Sequence, residues 1–179
     1  MICITDLEGT LTSGSVETAL ERYRQAGQQV RTPAELGEWI VEQELWPKRT
    51  PLVELLRLRD AEQVRVIICS TTRAAVLEAF SRRLRAEPLA IAAGTAGRAV
   101  PAPSSEGRRS EGRRKAQQVR RYLRGARVDY AFTHSMEDLP LLDLAARPCA
   151  VDPEPPLLRY AKAKAWRVLT FAGSPGLIL

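Results

Sequence analysis

The chain has 179 residues, of which 45% are hydrophobic, and a formal net charge of +6, values that suit one globular domain with room for a small insertion. No apolar run nears the roughly 20 residues of a membrane span. The start, Met-Ile-Cys-Ile-Thr-Asp, lacks the marks of a signal peptide, so a soluble cytoplasmic protein is expected. Cys3, Cys69 and Cys149 form no C-x-x-C pair, which argues against a disulfide framework or a zinc site and for buried small apolar side chains.

The first element is the apolar run Ile2-Cys3-Ile4-Thr5, closed by Asp6-Leu7-Glu8-Gly9-Thr10. It reads as a buried strand ending in a glycine turn. Residues 13–48 then hold two amphipathic helical patterns, Val16 to Ala26 and Pro33 to Leu45, the second opened by Thr32 as cap and Pro33 at the first helical position. Elements placed there overhang the end of the first strand like a lid. Arg22, Arg24, Arg31 and Lys48 in this segment either meet anionic groups or form its wet face.

From Leu52 onward helices and strands alternate. A helix over Leu52 to Leu58 precedes a strand over Val64 to Cys69, and a helix over Ala75 to Leu84 precedes a strand over Leu89 to Ala92. Pro101, Pro103 and the repeat Ser105-Glu106-Gly107-Arg108-Arg109, Ser110-Glu111-Gly112-Arg113-Arg114 read as a flexible loop. Next come a helix over Lys115 to Leu123, a strand over Val128 to Phe132 and a helix over Leu139 to Ala146. A strand over Cys149 to Val151, a helix over Pro155 to Ala165 and a strand over Trp166 to Phe171 close the order. This alternation predicts an α/β fold, a Rossmann-like parallel sheet with helices on both faces. Its ligands bind at the carboxyl ends of the strands. Nine basic residues and one acid lie between Gly107 and Arg127. Only Tyr122 interleaves with them, so a solvated face is favoured over a nucleic-acid site.

The strand ends carry the chemistry. Asp6 and Glu8 flank Leu7, so one carboxylate could attack while the other moves a proton. Ser70 and Thr71 end the second predicted strand, Lys115 opens a helix, and Asp138 opens another. A hydroxyl, an ammonium and an acid at one sheet edge suit phosphoryl transfer, which needs positioning and electrostatic stabilisation. Each also has a plain structural reading: Ser70 as a helix cap, Lys115 as a surface cation, Asp138 as an N-terminal helix charge.

Together these residues resemble the four motifs of the haloacid dehalogenase (HAD) superfamily, in the phosphoserine-phosphatase-like subfamily. The matching segments are Asp6-Leu7-Glu8-Gly9-Thr10-Leu11-Thr12, Val66-Ile67-Ile68-Cys69-Ser70, Lys115, and Thr133 through Leu142. The resemblance implies a HAD-like core over 1–12 and 49–179 with a small helical cap over 13–48. It implies an aspartyl phosphate on Asp6, with Glu8 as acid and then base, and a phosphate site of Thr10, Ser70, Thr71 and Lys115. It also implies Mg2+, with Mn2+ or another divalent metal as alternatives, held by Asp6, Glu8 through its carbonyl, His134 and Asp138. Two residues depart from the pattern: Glu8 stands for the usual aspartate, and His134 for a metal-binding aspartate. Imidazole is a poor partner for a hard cation. The expected activity is hydrolysis of a small phosphorylated metabolite. A phosphotransferase with the same intermediate and a catalytically impaired binding protein are the alternatives. A homodimer is left open, and neither a membrane nor nucleic acid is expected as a partner.

Overall fold

The computed structural model describes residues 1–12, 15–25, 27, 32–43, 49–91 and 105–170. Six strands form one parallel sheet: β1 (Ile2–Thr5), β2 (Arg65–Ser70), β3 (Glu87–Ala90), β4 (Val128–Thr133), β5 (Ala145–Val151) and β6 (Arg167–Leu169), in the spatial order β3-β2-β1-β4-β5-β6. The chain builds outward on one side of β1 and then crosses to β4 on the other. The order therefore reverses between β1 and β4, and a crevice opens beyond their carboxyl ends.

Among the described residues seven helices cover the sheet: α1 (Val16–Gln25), α2 (Pro33–Gln43), α3 (Arg49–Ala61), α4 (Ala74–Leu84), α5 (Ser105–Tyr122), α6 (Leu139–Leu142) and α7 (Pro155–Ala163). Strand side chains alternate between faces. Cys3, Val66, Ile68 and Phe132 pack with Val16 and Ala19 of α1, Ile40 of α2, Leu55 and Leu58 of α3, and Leu77 and Phe80 of α4. On the other face Ile4, Ile67, Ala131 and Ala150 pack with Val119 of α5, Leu141 of α6, and Leu157 and Ala161 of α7. The predicted doubly covered parallel sheet is thus observed, and the three cysteines are buried and unpaired. No helix among the described residues is long and apolar enough to cross a membrane.

Two predicted elements are corrected. The repeat read as a loop is the first half of α5, which begins at Ser105. Arginine and glutamate are good helix formers, and Gly112 packs where no side chain fits, so its helix penalty of about 1 kcal/mol is tolerated. The helix expected over Leu139 to Ala146 stops at Leu142, and β5 already begins at Ala145, opposite Val128 of β4. Sheet pairing there overrides an apolar run that suits either conformation. β3 also begins two residues earlier than expected, at Glu87, and β6 is shorter. Ala92, Pro101, Pro103, Phe171, Arg31 and Lys48 lie outside the described residues.

The segment after β1 is tied to the core through α2. A Cβ on Gly37 would overlap the Ala75 carbonyl at the start of α4, so glycine sets how closely these helices approach. Gly37→Ala gains about 1 kcal/mol in helix propensity against an overpacking cost of about 1–3 kcal/mol. We expect a net loss of up to about 2 kcal/mol, read as a lower urea midpoint at unchanged slope.

Candidate active site

The turn after β1 is fixed by apolar burial on either side of its polar residues. Leu7 and Leu11 are fully buried, each contributing roughly 1.5–3 kcal/mol. The Leu7 carbonyl accepts from the N–H groups of Thr10, Leu11 and Thr12 at 3.3, 2.8 and 3.2 Å. Gly9 has φ +72, a conformation side-chain-bearing residues rarely adopt. The Asp6 N–H donates to the Phe132 carbonyl at 3.1 Å, extending the β1–β4 join one residue past the strand. Asp6 therefore stands at the reversal point of the sheet.

Lys115 approaches Asp6 from α5. Its Nζ donates to Asp6 Oδ1 at 2.9 Å and to Asp138 Oδ2 at 3.1 Å. All three side chains are buried. The Thr133 hydroxyl, at the end of β4, also donates to Asp138 Oδ2 at 3.1 Å. Asp138 closes a single 3-10 turn (Met136–Asp138) capped by Ser135, whose Oγ accepts from the Glu137 N–H at 3.2 Å. α5 lies so close to this turn that a Cβ on Gly112 would overlap the Glu137 carbonyl. That approach brings the ammonium of Lys115, three residues on, between the two acids.

The titration directions follow from this burial. Desolvation raises the Asp6 pKa against the opposing pull of Lys115. Burial works against the Lys115 ammonium, but the Asp6 and Asp138 carboxylates outweigh it and hold the lysine charged. Glu8 is half-buried, and desolvation raises its pKa as well. Its Oε2 accepts from the Val16 N–H at 3.1 Å, so Glu8 caps the first turn of α1.

A cleft of about 350 Å3 opens over these groups, lined by Asp6, Glu8, Ser70, Thr71, Lys115, His134 and Asp138. Ser70 ends β2, and its Oγ accepts from the Thr72 N–H at 3.1 Å, leaving its own proton for an incoming acceptor. Thr71 donates to Glu111 Oε1 at 2.9 Å, which turns its hydroxyl toward the cleft wall. Seven of the eight residues expected at the site thus line one cleft. The eighth, Thr10, is fully buried beneath it, with its hydroxyl 3.5 Å from Asp6 Oδ2 and 3.1 Å from His134 Nδ1. Thr10 orients those two side chains. The cleft also takes in Glu137, from the Thr133–Leu142 segment, and Glu17, Glu111 and Glu154, which sequence reasoning did not place at the site. The one local hint was the repeat itself, which sets Glu111 and Gly112 one helical turn before Lys115.

The side chains present do not fit the divalent metal that the motif resemblance implies. Among the described residues no group of three or more His, Cys, Asp or Glu side chains is arranged to hold a metal ion. The ammonium of Lys115 already stands between Asp6 and Asp138. His134 Nδ1 lies 3.8 Å from Asp6 Oδ2 and is engaged with Thr10. Among the described residues, side chains alone therefore form no cage for a hard, oxygen-seeking cation.

The fold is similar to that of solved structures described as phosphoserine phosphatase and HAD family hydrolases. Its structural neighbours include a protein of unknown function from Bordetella pertussis Tohama I, with TM-score 0.60 and 21% identity, covering 94% of this chain and 97% of that one. They also include phosphoserine phosphatase in apo form, with TM-score 0.57 and 9% identity over 94% and 92% of the two chains. A HAD family hydrolase from Salmonella enterica serovar Typhi has TM-score 0.55 and 13% identity over 89% and 64%. Neither a protein-family model nor a curated protein matches the sequence.

Removing the lysine tests the buried triad. Lys115→Met leaves two buried carboxylates without their cation, a loss of about 3–5 kcal/mol at neutral pH. The Asp6 pKa, already raised by burial, then rises further. A raised carboxylate pKa costs stability as pH rises through it, so the deficit narrows as pH falls and Asp6 folds protonated. Unfolding curves against pH for variant and wild type read this directly.

Proposed function

We propose that the protein is a phosphatase that hydrolyses a small phosphomonoester through a phosphoryl-enzyme on Asp6. The observation that carries this is the placement of Asp6: at the sheet's reversal point, at the floor of a cleft, with a buried ammonium 2.9 Å from one carboxylate oxygen. A carboxylate so held presents its other oxygen in a fixed direction, and the lysine offsets charge on the entering phosphoryl group.

In the first step Asp6 Oδ2 attacks phosphorus and the ester P–O bond breaks. Glu8 gives its proton to the leaving alkoxide, forming the free alcohol. In the second step Glu8, now ionised, takes a proton from water. That oxygen attacks phosphorus, the bond to Asp6 breaks, and inorganic phosphate and free Asp6 result. Ser70 and Lys115 hold the phosphoryl oxygens throughout. The raised pKa of Glu8 suits a group that must start protonated and then work as a base. The polar side of α1, held in place by the Glu8 cap, is the part that meets the alcohol.

The test is hydrolysis of 4-nitrophenyl phosphate by wild type, Asp6→Asn and Glu8→Gln, each with chelator, Mg2+ or Mn2+. Asp6→Asn is expected to be inactive, and Glu8→Gln to lose on the order of 10²–10⁴-fold. An Asp6→Asn protein as fast as wild type ends this reading. The pH profile is a second check. Asp6 must be ionised and Glu8 protonated, and burial raises both pKa values. The rate should therefore climb with pH above the ordinary carboxylate range of about 4 and fall again as Glu8 loses its proton.

A further inference from the structure

The two oxygens of the Asp6 carboxylate face different groups. Lys115 Nζ donates to Oδ1 at 2.9 Å, and the His134 ring stands beside Oδ2, with Nδ1 at 3.8 Å. Oδ2 is the oxygen that attacks phosphorus in the reading above, so a phosphoryl group arriving there meets the imidazole. His134 is the chain's one histidine. It lines the cleft with 28% of its side chain exposed.

The ring is held on several sides. The His134 carbonyl accepts from the Glu154 N–H at 3.0 Å. The Cε1–Nε2 edge rests on Gly9, where an added Cβ would come within 2.4 Å of both atoms. Nδ1 is turned onto the hydroxyl of the fully buried Thr10, at 3.1 Å. Thr10 has one proton to give, and its other acceptor, Asp6 Oδ2, is farther away at 3.5 Å. The hydroxyl therefore donates to Nδ1, and the tautomer this fixes carries its proton on Nε2. Nε2 has no hydrogen-bond partner among the described residues. The nitrogen presented to the cleft is thus a donor.

A ring in this state is no metal ligand. Imidazole binds a metal through a free lone pair. Here the Nδ1 lone pair takes the Thr10 proton and Nε2 carries a proton of its own. Beside it, Asp6 Oδ1 and Asp138 Oδ2 already accept from Lys115, and Asp138 Oδ2 accepts from Thr133 as well. An N–H fixed beside a reacting oxygen suits an anion instead, because hydrogen bonds to charged oxygens are the strong ones.

Building on the phosphatase reading, we propose that His134 is a phosphoryl-binding residue. Its Nε2–H donates to a phosphoryl oxygen beside Asp6 Oδ2. Together with Lys115 on the other carboxylate oxygen, it lets the site hold a phosphate ester without a divalent cation. The bonds made and broken are those of the two steps above, and His134 keeps its proton through both.

The single histidine makes this readable by nitrogen NMR of the wild-type protein in chelator. The expected result is a ring with its proton on Nε2, an Nε2 signal that moves as inorganic phosphate is added, and ring signals that Mg2+ leaves in place. Calorimetry gives the affinity. Inorganic phosphate should bind wild type equally tightly in chelator and in Mg2+. It should bind His134→Ala about tenfold to a hundredfold more weakly, the loss expected for a hydrogen bond to a charged group. His134→Gln, whose amide N–H reaches the place of Nε2, should recover most of that loss. A proton on Nδ1, an Nε2 signal indifferent to phosphate, phosphate binding that needs Mg2+ or Mn2+, or unchanged affinity in His134→Ala would overturn the proposal. Hydrolysis of 4-nitrophenyl phosphate only with added metal keeps the phosphatase and removes the metal-free site. Phosphate bound to His134 in chelator by a wild type that hydrolyses no ester keeps the site and removes the phosphatase.

Discussion

A single buried ammonium holds the active end of this molecule together. Lys115 joins the loop after β1, the helix α5 and the turn before α6 through two carboxylates, Asp6 and Asp138. Burying three charges is unfavourable unless they compensate one another and their remaining bonding capacity is met. Here Thr133 completes Asp138, and Thr10 stands below Asp6. The same contacts that hold three elements in register also hold the Asp6 carboxylate in one orientation.

Close backbone packing sets the reach of that lysine. α5 rests on the 3-10 turn at Gly112, and α2 rests on α4 at Gly37. Both contacts work because a side chain is missing. On the opposite side of the cleft, Glu8 caps α1 through the Val16 N–H. Glutamate has the length to reach the helix end from its place beside Leu7. Glu8 and the entry of the helical segment are therefore joined by one hydrogen bond.

The reading of the sequence succeeded where local pattern and tertiary role coincide. The β-branched run before Asp6, the Val66–Ser70 strand and the Thr133–Asp138 stretch each announce a strand ending in polar residues, and the sheet places those ends together. It failed where a polar segment had two equally good local states. The repeated Ser-Glu-Gly-Arg-Arg looks like a loop beside prolines and serines, yet its residues extend a helix once Gly112 finds a surface to meet. The run after Leu139 was ambiguous in the same way, and pairing of Ala145 with β4 decided it. Thr10 looked like a cleft hydroxyl because its burial depends on neighbours 124 residues away. Glu17, Glu111 and Glu154 were not placed at the cleft because each is an ordinary polar residue taken one at a time. Only the fold makes them neighbours.

The contact between Gly9 and His134 has a consequence for how this site can vary. The imidazole lies directly over the glycine, in the space a Cβ would occupy. Any side chain at position 9 evicts the ring. A small acid at position 134 leaves a gap above the turn and removes the partner of Thr10. The two positions, far apart along the chain, thus form one steric unit with a shared set of permitted pairs. A lineage departing from this pairing would have to travel through two substitutions together, or through a poorly packed intermediate.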